Sequence, residues 1–169
     1  MLEPVSKSMN HLKRSALVLL CIAFIGCTIS HKPTGLKGTL KEVWQLEQEV
    51  YQLINRYRIS QNLTPLITNE IITQQARMHS RAMATKRIPV SHSGFAKRVE
   101  RISRSLPYRA AVENVAYNKG YSDCAQRAAQ DWLKNTEHRK NIEGNYQLTG
   151  IGVAMDSQGA YYFTQIFWQ

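Results

Sequence analysis

The chain has 169 residues, enough for one domain around a single core and too few for two ordinary ones. Apolar residues make up 43% and charged residues 20%, which excludes wholesale disorder. Twenty-two Lys and Arg against 12 Asp and Glu give a net charge of +10, so anionic surfaces are favoured partners. Three cysteines are too few for a disulfide scaffold, and stability must come from packing.

Lys13 and Arg14 precede an apolar run over residues 16–26 that ends in Phe24-Ile25-Gly26-Cys27. That run is too short to span a bilayer and has the length of a signal-peptide core. Residues 1–27 therefore read as an export signal of lipoprotein type, with Cys27 as the lipidated residue. Phe24 departs from the Leu usual in such a box. Simple cleavage near Gly26 or Ser30 and a retained anchor are the alternatives, and all three export the domain. Cys21 and Cys27 fall in this leader, which leaves Cys124 as a lone cysteine among alanines, read as a buried apolar residue.

Residues 28–38 carry Pro33, Gly35 and Gly38 and read as a flexible tether, so the domain is expected over 39–169. Thr39 and Glu42 match a capping box. Val43, Leu46, Val50, Leu53 and Tyr57 then follow at helical spacing, which predicts a helix over roughly 40–59. Asn69 is placed to cap a second helix over about 70–86, with Ile72, Ala76, His79 and Met83 on one face. A third helix is predicted over 94–104. Ser122 is read as the cap of a fourth, with Ala125, Ala128, Ala129, Trp132 and Leu133 on its apolar side, and His138 is placed beyond its end.

The pattern then changes period. Ile151, Val153 and Met155 alternate, residues 156–159 make a turn, and residues 161–168 are rich in aromatic and β-branched side chains. That is a β-hairpin, and residues 112–117 supply a further strand. Gly150 and Gly152, within a strand, point to a close backbone approach. Helices first and a hairpin last indicate an α+β fold.

Eight segments, in order, carry a resemblance: NRYR (55–58), LTPLITN (63–69), ARMHSRAMA (76–84), SHSGF (91–95), ENVA (113–116), WLKNTEHRKNI (132–142), TGIGVA (149–154) and YYFTQIF (161–167). Together they resemble the bacterial SCP-like branch of the CAP superfamily, which comprises the cysteine-rich secretory, antigen 5 and pathogenesis-related proteins. The resemblance implies a three-layer α-β-α sandwich around a small antiparallel sheet. It also implies a cleft built from His92, Glu113 and His138. Spacing alone would not single these residues out. Many eukaryotic members of that superfamily complete a tetrad with a second Glu a few residues after the Trp. Here Trp132 is followed by Leu-Lys-Asn-Thr, and Glu137, adjacent to His138, is not expected to replace it.

Two imidazoles and one carboxylate have the composition of a site for zinc or another divalent cation. The leading expectation is an exported binding module of the cell envelope whose His/Glu cleft takes a metal or lipid, without assigned catalysis. A metal-dependent hydrolase of peptide or cell-wall material, and an interaction domain with a vestigial cleft, are the alternatives. Residues 77–109 hold nine bases against one acid, and Lys97, Arg101 and Arg104 share a helical face. The common reading of such a face is a solvated one; the sharper reading is that it meets anionic lipids or envelope polymers, or a protein partner. Nucleic acid is not expected, because the chain reads as exported and carries no recognised binding module.

Overall fold

The computed structural model describes residues 36–169. The leader, Cys27 and most of the tether lie outside the described residues. Five helices and four strands follow in the order α1 (Leu36–Ser60), β1 (Ile67–Thr68), α2 (Glu70–Ala84), α3 (Phe95–Ser103), β2 (Ala111–Lys119), α4 (Cys124–Lys134), α5 (Thr136–Glu143), β3 (Leu148–Met155) and β4 (Ala160–Trp168). The sheet order is β1-β3-β4-β2. β2 and β3 both run antiparallel to β4, and the two-residue β1 adds a parallel edge to β3. The sheet is thus mixed by one short strand, too brief for an alternation pattern to signal.

β4 is the central strand, and its alternation divides the core. Phe163 and Phe167 join Val50 and Ile54 of α1, Ala125, Ala128 and Trp132 of α4, and Ile142 of α5 on one face. Ile166 and Trp168 meet Ile72 and Ala76 of α2 and Ile102 of α3 on the other, where Tyr162 also packs with Met83. Two helical layers therefore enclose one sheet, as a period-2 strand with both faces apolar requires. Gly150 and Gly152 of β3 let α2 lie directly on the sheet. A Cβ at Gly152 would come within 2.1 Å of the Arg77 backbone nitrogen, and one at Gly150 within 2.3 Å of that of Thr73.

Asn69 caps α2 as expected, its side chain accepting from the Ile71 and Ile72 amides at 3.0 and 3.3 Å. Three local expectations are corrected. α1 begins at Leu36, inside the segment read as tether and ahead of the Thr39 box, because Leu36, Leu40 and Val43 continue the helical spacing one turn earlier. The cap position of α4 is Asp123, not Ser122, whose hydroxyl donates to the Asp123 carboxylate instead. His138 does not trail a helix end. It lies in the first turn of α5, where Asn135 restarts the helix by accepting from the Glu137 and His138 amides at 3.0 and 3.1 Å.

Arg58 is almost fully buried and ties α1 to the chain beyond α5. Its guanidinium donates to the carbonyls of Thr64 at 2.9 Å, of Gly144 at 3.0 Å and of Ile142. Asn55 takes both backbone groups of Leu66, accepting at 2.8 Å and donating at 3.0 Å. These two side chains set the approach of the loop into β1. Cys124 is buried, and its thiol donates to the Tyr121 carbonyl.

Candidate functional site

The edge strand β2 carries Glu113 and Asn114 at successive positions, so their side chains leave opposite faces of the sheet. Glu113 turns toward α2 and α3 and is buried. An unpaired carboxylate there would be costly. Arg98 of α3 answers it with a two-pronged ion pair, Nε to Oε2 at 2.9 Å and Nη2 to Oε1 at 2.7 Å. The third guanidinium nitrogen, Nη1, donates to the Ser93 carbonyl at 2.8 Å and so fixes the turn that carries His92.

His92 then meets the same carboxylate, its Nδ1 3.0 Å from Glu113 Oε1. A carboxylate only accepts, so Nδ1 carries the proton. Nε2 makes no hydrogen bond among the described residues, and the side chain is 53% exposed. The ring is held at one nitrogen and presented to solvent at the other.

Below it lies His79, on the core face of α2. Its Nε2 donates to the Ser91 carbonyl at 2.7 Å and stands 3.9 Å from Glu113 Oε1, too far for a hydrogen bond. Burial above all, and then the Arg98 charge, push its pKa below the ordinary histidine value, so the ring is neutral. His79 thus positions the backbone one residue before His92.

The backbone of His138 is tied to β2 on the other face of the sheet. Asn114 Nδ2 donates to the His138 carbonyl at 3.0 Å, and Asn141 Nδ2 donates to Asn114 Oδ1 at 2.8 Å. The His138 pKa is lowered, first by burial and then by the charge of His92. Helix-end attraction for a cation does not apply, since the imidazole sits at the N-terminal turn of α5.

The structure therefore joins His92 to Glu113 directly and brings His138 within the electrostatic reach of His92. The sequence does not single out His79 and Arg98 as site residues. His79 shows there as a polar residue on an apolar helical stripe. Arg98 lies one position from Lys97 but is spaced four from Ile102, which is buried. Glu137 is exposed and pairs with Lys140 at 2.9 Å, so it adds nothing to the cleft. Of the basic face, Arg104 pairs with exposed Glu100 at 2.7 Å, while Lys97 and Arg101 have no acidic partner among the described residues.

Both Glu113 oxygens are engaged by Arg98, and one also by His92. A cation coordinated by Glu113 would have to take the place of the guanidinium, so Glu113 does not fit as a metal ligand in this arrangement. No group of three His, Cys, Asp or Glu is placed to hold a metal ion among the described residues. The imidazoles of His92 and His138 remain as nitrogen donors.

The cysteine-rich secretory protein family, CAP, matches residues 51–167. The chain belongs to that family. An uncharacterized Bacillus subtilis protein, YkwD, is 32% identical over 124 residues, covering 70% of this chain and 46% of its own length. The chain thus spans about half of that curated relative. Among solved structures, an extracellular SCP-domain protein of Bacillus anthracis superposes with a TM-score of 0.66 at 24% identity, covering 81% of this chain and 44% of the other. An outer surface protein of Borrelia burgdorferi superposes with a TM-score of 0.63 at 16% identity, covering 74% and 92%. A cysteine-rich secretory protein of Staphylococcus aureus gives 0.61 at 19% identity, covering 76% and 40%. These likenesses establish the α-β-α fold.

Proposed function

We propose that this chain is an exported CAP domain, anchored through Cys27, that acts as a binding module at the cell envelope. The observation that carries the reading is the charge balance at Glu113. Arg98 neutralises that carboxylate inside the protein, so the cleft needs no added cation to exist. What it offers outward is one oriented, half-exposed imidazole, with the His138 backbone tied to the same strand through Asn114. Such a cleft suits a lipid or cell-wall ligand held by hydrogen bonds. The sequence behind it supports export, with a basic pair, an apolar run and a cysteine in order.

A divalent metal is the second reading, favoured by the His92 geometry. A histidine that donates one ring nitrogen to a carboxylate and leaves the other open is the arrangement found behind metal-bound imidazoles. Glu113 would then orient His92 rather than bind the ion. Hydrolysis has less support. The neighbouring Ser91 hydroxyl donates to the Pro89 carbonyl, not to His92, so it is not poised as a nucleophile.

The test is calorimetry on the full chain with zinc, and with a panel of envelope lipids and cell-wall fragments, beside His92→Ala and His138→Ala. The binding reading predicts saturable uptake of a panel member that His92→Ala loses, with no turnover. Turnover of a peptide or cell-wall substrate abolished by His92→Ala would replace it with the hydrolase. Palmitate labelling lost in Cys27→Ala tests the anchor, and an unlabelled wild type would remove it.

A further inference from the structure

A cavity backs onto the His92 site and shares His79, Ser93 and Arg98 with it. It has a volume of about 330 Å³ and lies where α2 and α3 meet the loop between them. Arg81, Arg87, Arg98 and Arg101 all line it, and among the described residues no acidic side chain does. Arg98 is already neutralised by Glu113 at 2.7 Å. Arg87 spends Nε on the Thr85 hydroxyl at 3.1 Å and keeps its terminal nitrogens. Arg81 and Arg101 form no ion pair among the described residues. Met78 and Ile88 supply an apolar side to the same cavity.

Three guanidinium groups without acidic partners repel one another, and drawing them around one concave site raises that cost. A bound anion reverses its sign. The chemistry of the lining narrows the anion. A guanidinium fork makes paired hydrogen bonds to phosphate oxygens, and several forks suit a group that presents three or four of them. The cavity exceeds the volume of one phosphate group severalfold, and the Met78–Ile88 side has no use for a free inorganic ion.

We infer that this arginine pocket binds the phosphate of an organic phosphoester, with Arg81, Arg87 and Arg101 holding the oxygens and Met78 and Ile88 against the organic part. It shares His79, Ser93 and Arg98 with the His92 site, but His92, Glu113 and His138 are not in its lining. The ester has two sources at an envelope, a phospholipid headgroup or a soluble or polymeric glycerol phosphate. The shared phosphoester chemistry is what the pocket reads.

The experiment titrates the full chain in a non-ionic detergent with glycerol phosphate and, separately, with dihexanoyl phosphatidylglycerol, by calorimetry. Wild type should bind at least one of them saturably, one to one. Arg81→Gln/Arg101→Gln should weaken that binding by about a hundredfold, roughly tenfold for each charge-assisted hydrogen-bonding group removed. Arg81→Lys/Arg101→Lys should restore it only in part, because charge returns without the fork. Arg109→Gln/Lys134→Gln removes the same charge outside the pocket and off that basic face, and should change affinity less than about twofold. Tight binding of glycerol phosphate alone identifies the free ester, and binding of the lipid only identifies the headgroup. His92→Ala/His138→Ala should leave either unchanged, so failure of the cleft reading and failure of this one are distinguishable. Absence of saturable binding to both probes, or equal weakening in the pocket and the control variants, would overturn the inference.

Discussion

Removing Arg98 tests the centre of the site. Its side chain is 7% exposed and that of Glu113 1%, so the pair is buried together. Arg98→Met keeps most of the packing volume but deletes two hydrogen bonds to Glu113 and one to Ser93. The carboxylate left behind keeps only His92 as a partner. Breaking a buried pair from one side costs about 3–5 kcal/mol, because the surviving charge stays desolvated. Most of that cost should vanish in Arg98→Met/Glu113→Met, where no buried charge remains and His92 turns to water. Urea unfolding of the wild type, both single variants and the double variant gives a complete cycle. The expected single-variant destabilisation for Arg98→Met is about 4 kcal/mol, with the double variant recovering at least about half. A destabilisation below about 1 kcal/mol, the scale of an exposed pair, would refute the buried-charge reasoning. So would a double variant less stable than Arg98→Met.

Three further outcomes follow from the same structure. Gly152→Ala should cost about 3 kcal/mol, since its Cβ would meet helix backbone at 2.1 Å and neither α2 nor β3 can move alone; thermal unfolding indistinguishable from wild type would contradict that close approach. Acid should weaken the fold: His79 and His138 are held below the ordinary value of 6.5, so they stay neutral in the fold while the unfolded chain takes up protons. Stability is then complete above pH 6.5 and declines as pH falls through and below it. An equal decline in His79→Gln/His138→Gln would assign the effect elsewhere. Cys124 is buried and its thiol pKa is raised, chiefly by that burial, so a thiol reagent at mild alkaline pH should label it far more slowly in the folded chain than in denaturant.

The elements legible in the sequence are those whose signals are local. Asn69 announces α2, and the spacing of Ile72, Ala76, His79 and Met83 gives the face that is buried. The hairpin shows itself through alternation around the Asp156–Gly159 turn, in which Asp156 accepts from the Gln158 and Ala160 amides. The glycines of β3 foretell the close helix. β1 escapes because two residues carry no period. Its place is set by Asn55 gripping Leu66, an interaction across 11 residues. α5 escapes, and His138 is placed beyond the end of α4, because Asn135, flanked by charged and polar residues, does not stand out as a second cap.

The site is legible only through family resemblance, and then incompletely. His92 and Glu113 are 21 residues apart, and nothing local in either segment predicts their 3.0 Å approach. Arg98 is hidden by its neighbours. Lys97, Arg101 and Arg104 define an outward face so clearly that a fourth base beside them looks like more of the same. The packing of Ile102 under the sheet is what turns Arg98 inward, and that is a tertiary fact.

The presence of a charge pair at this depth needs a reason beyond stability, since two apolar side chains would fill the space at no greater cost. The geometry supplies one. With an apolar residue at position 113, the His92 turn would lose its side-chain anchor to the sheet, and either ring nitrogen could carry the proton. Glu113 fixes the proton on Nδ1 and turns Nε2 outward, and Arg98 makes that carboxylate tolerable while holding Ser93. Stability and cleft function should therefore separate in Arg98→Met/Glu113→Met: a well-folded protein whose His92 no longer presents one defined nitrogen. Nitrogen-15 NMR of the imidazoles reads this directly. Wild type should show His92 protonated at Nδ1, and the double variant a mixture of both tautomers. A wild type already mixed would mean that Glu113 does not orient His92, and the pair would then have no role that an apolar core could not fill.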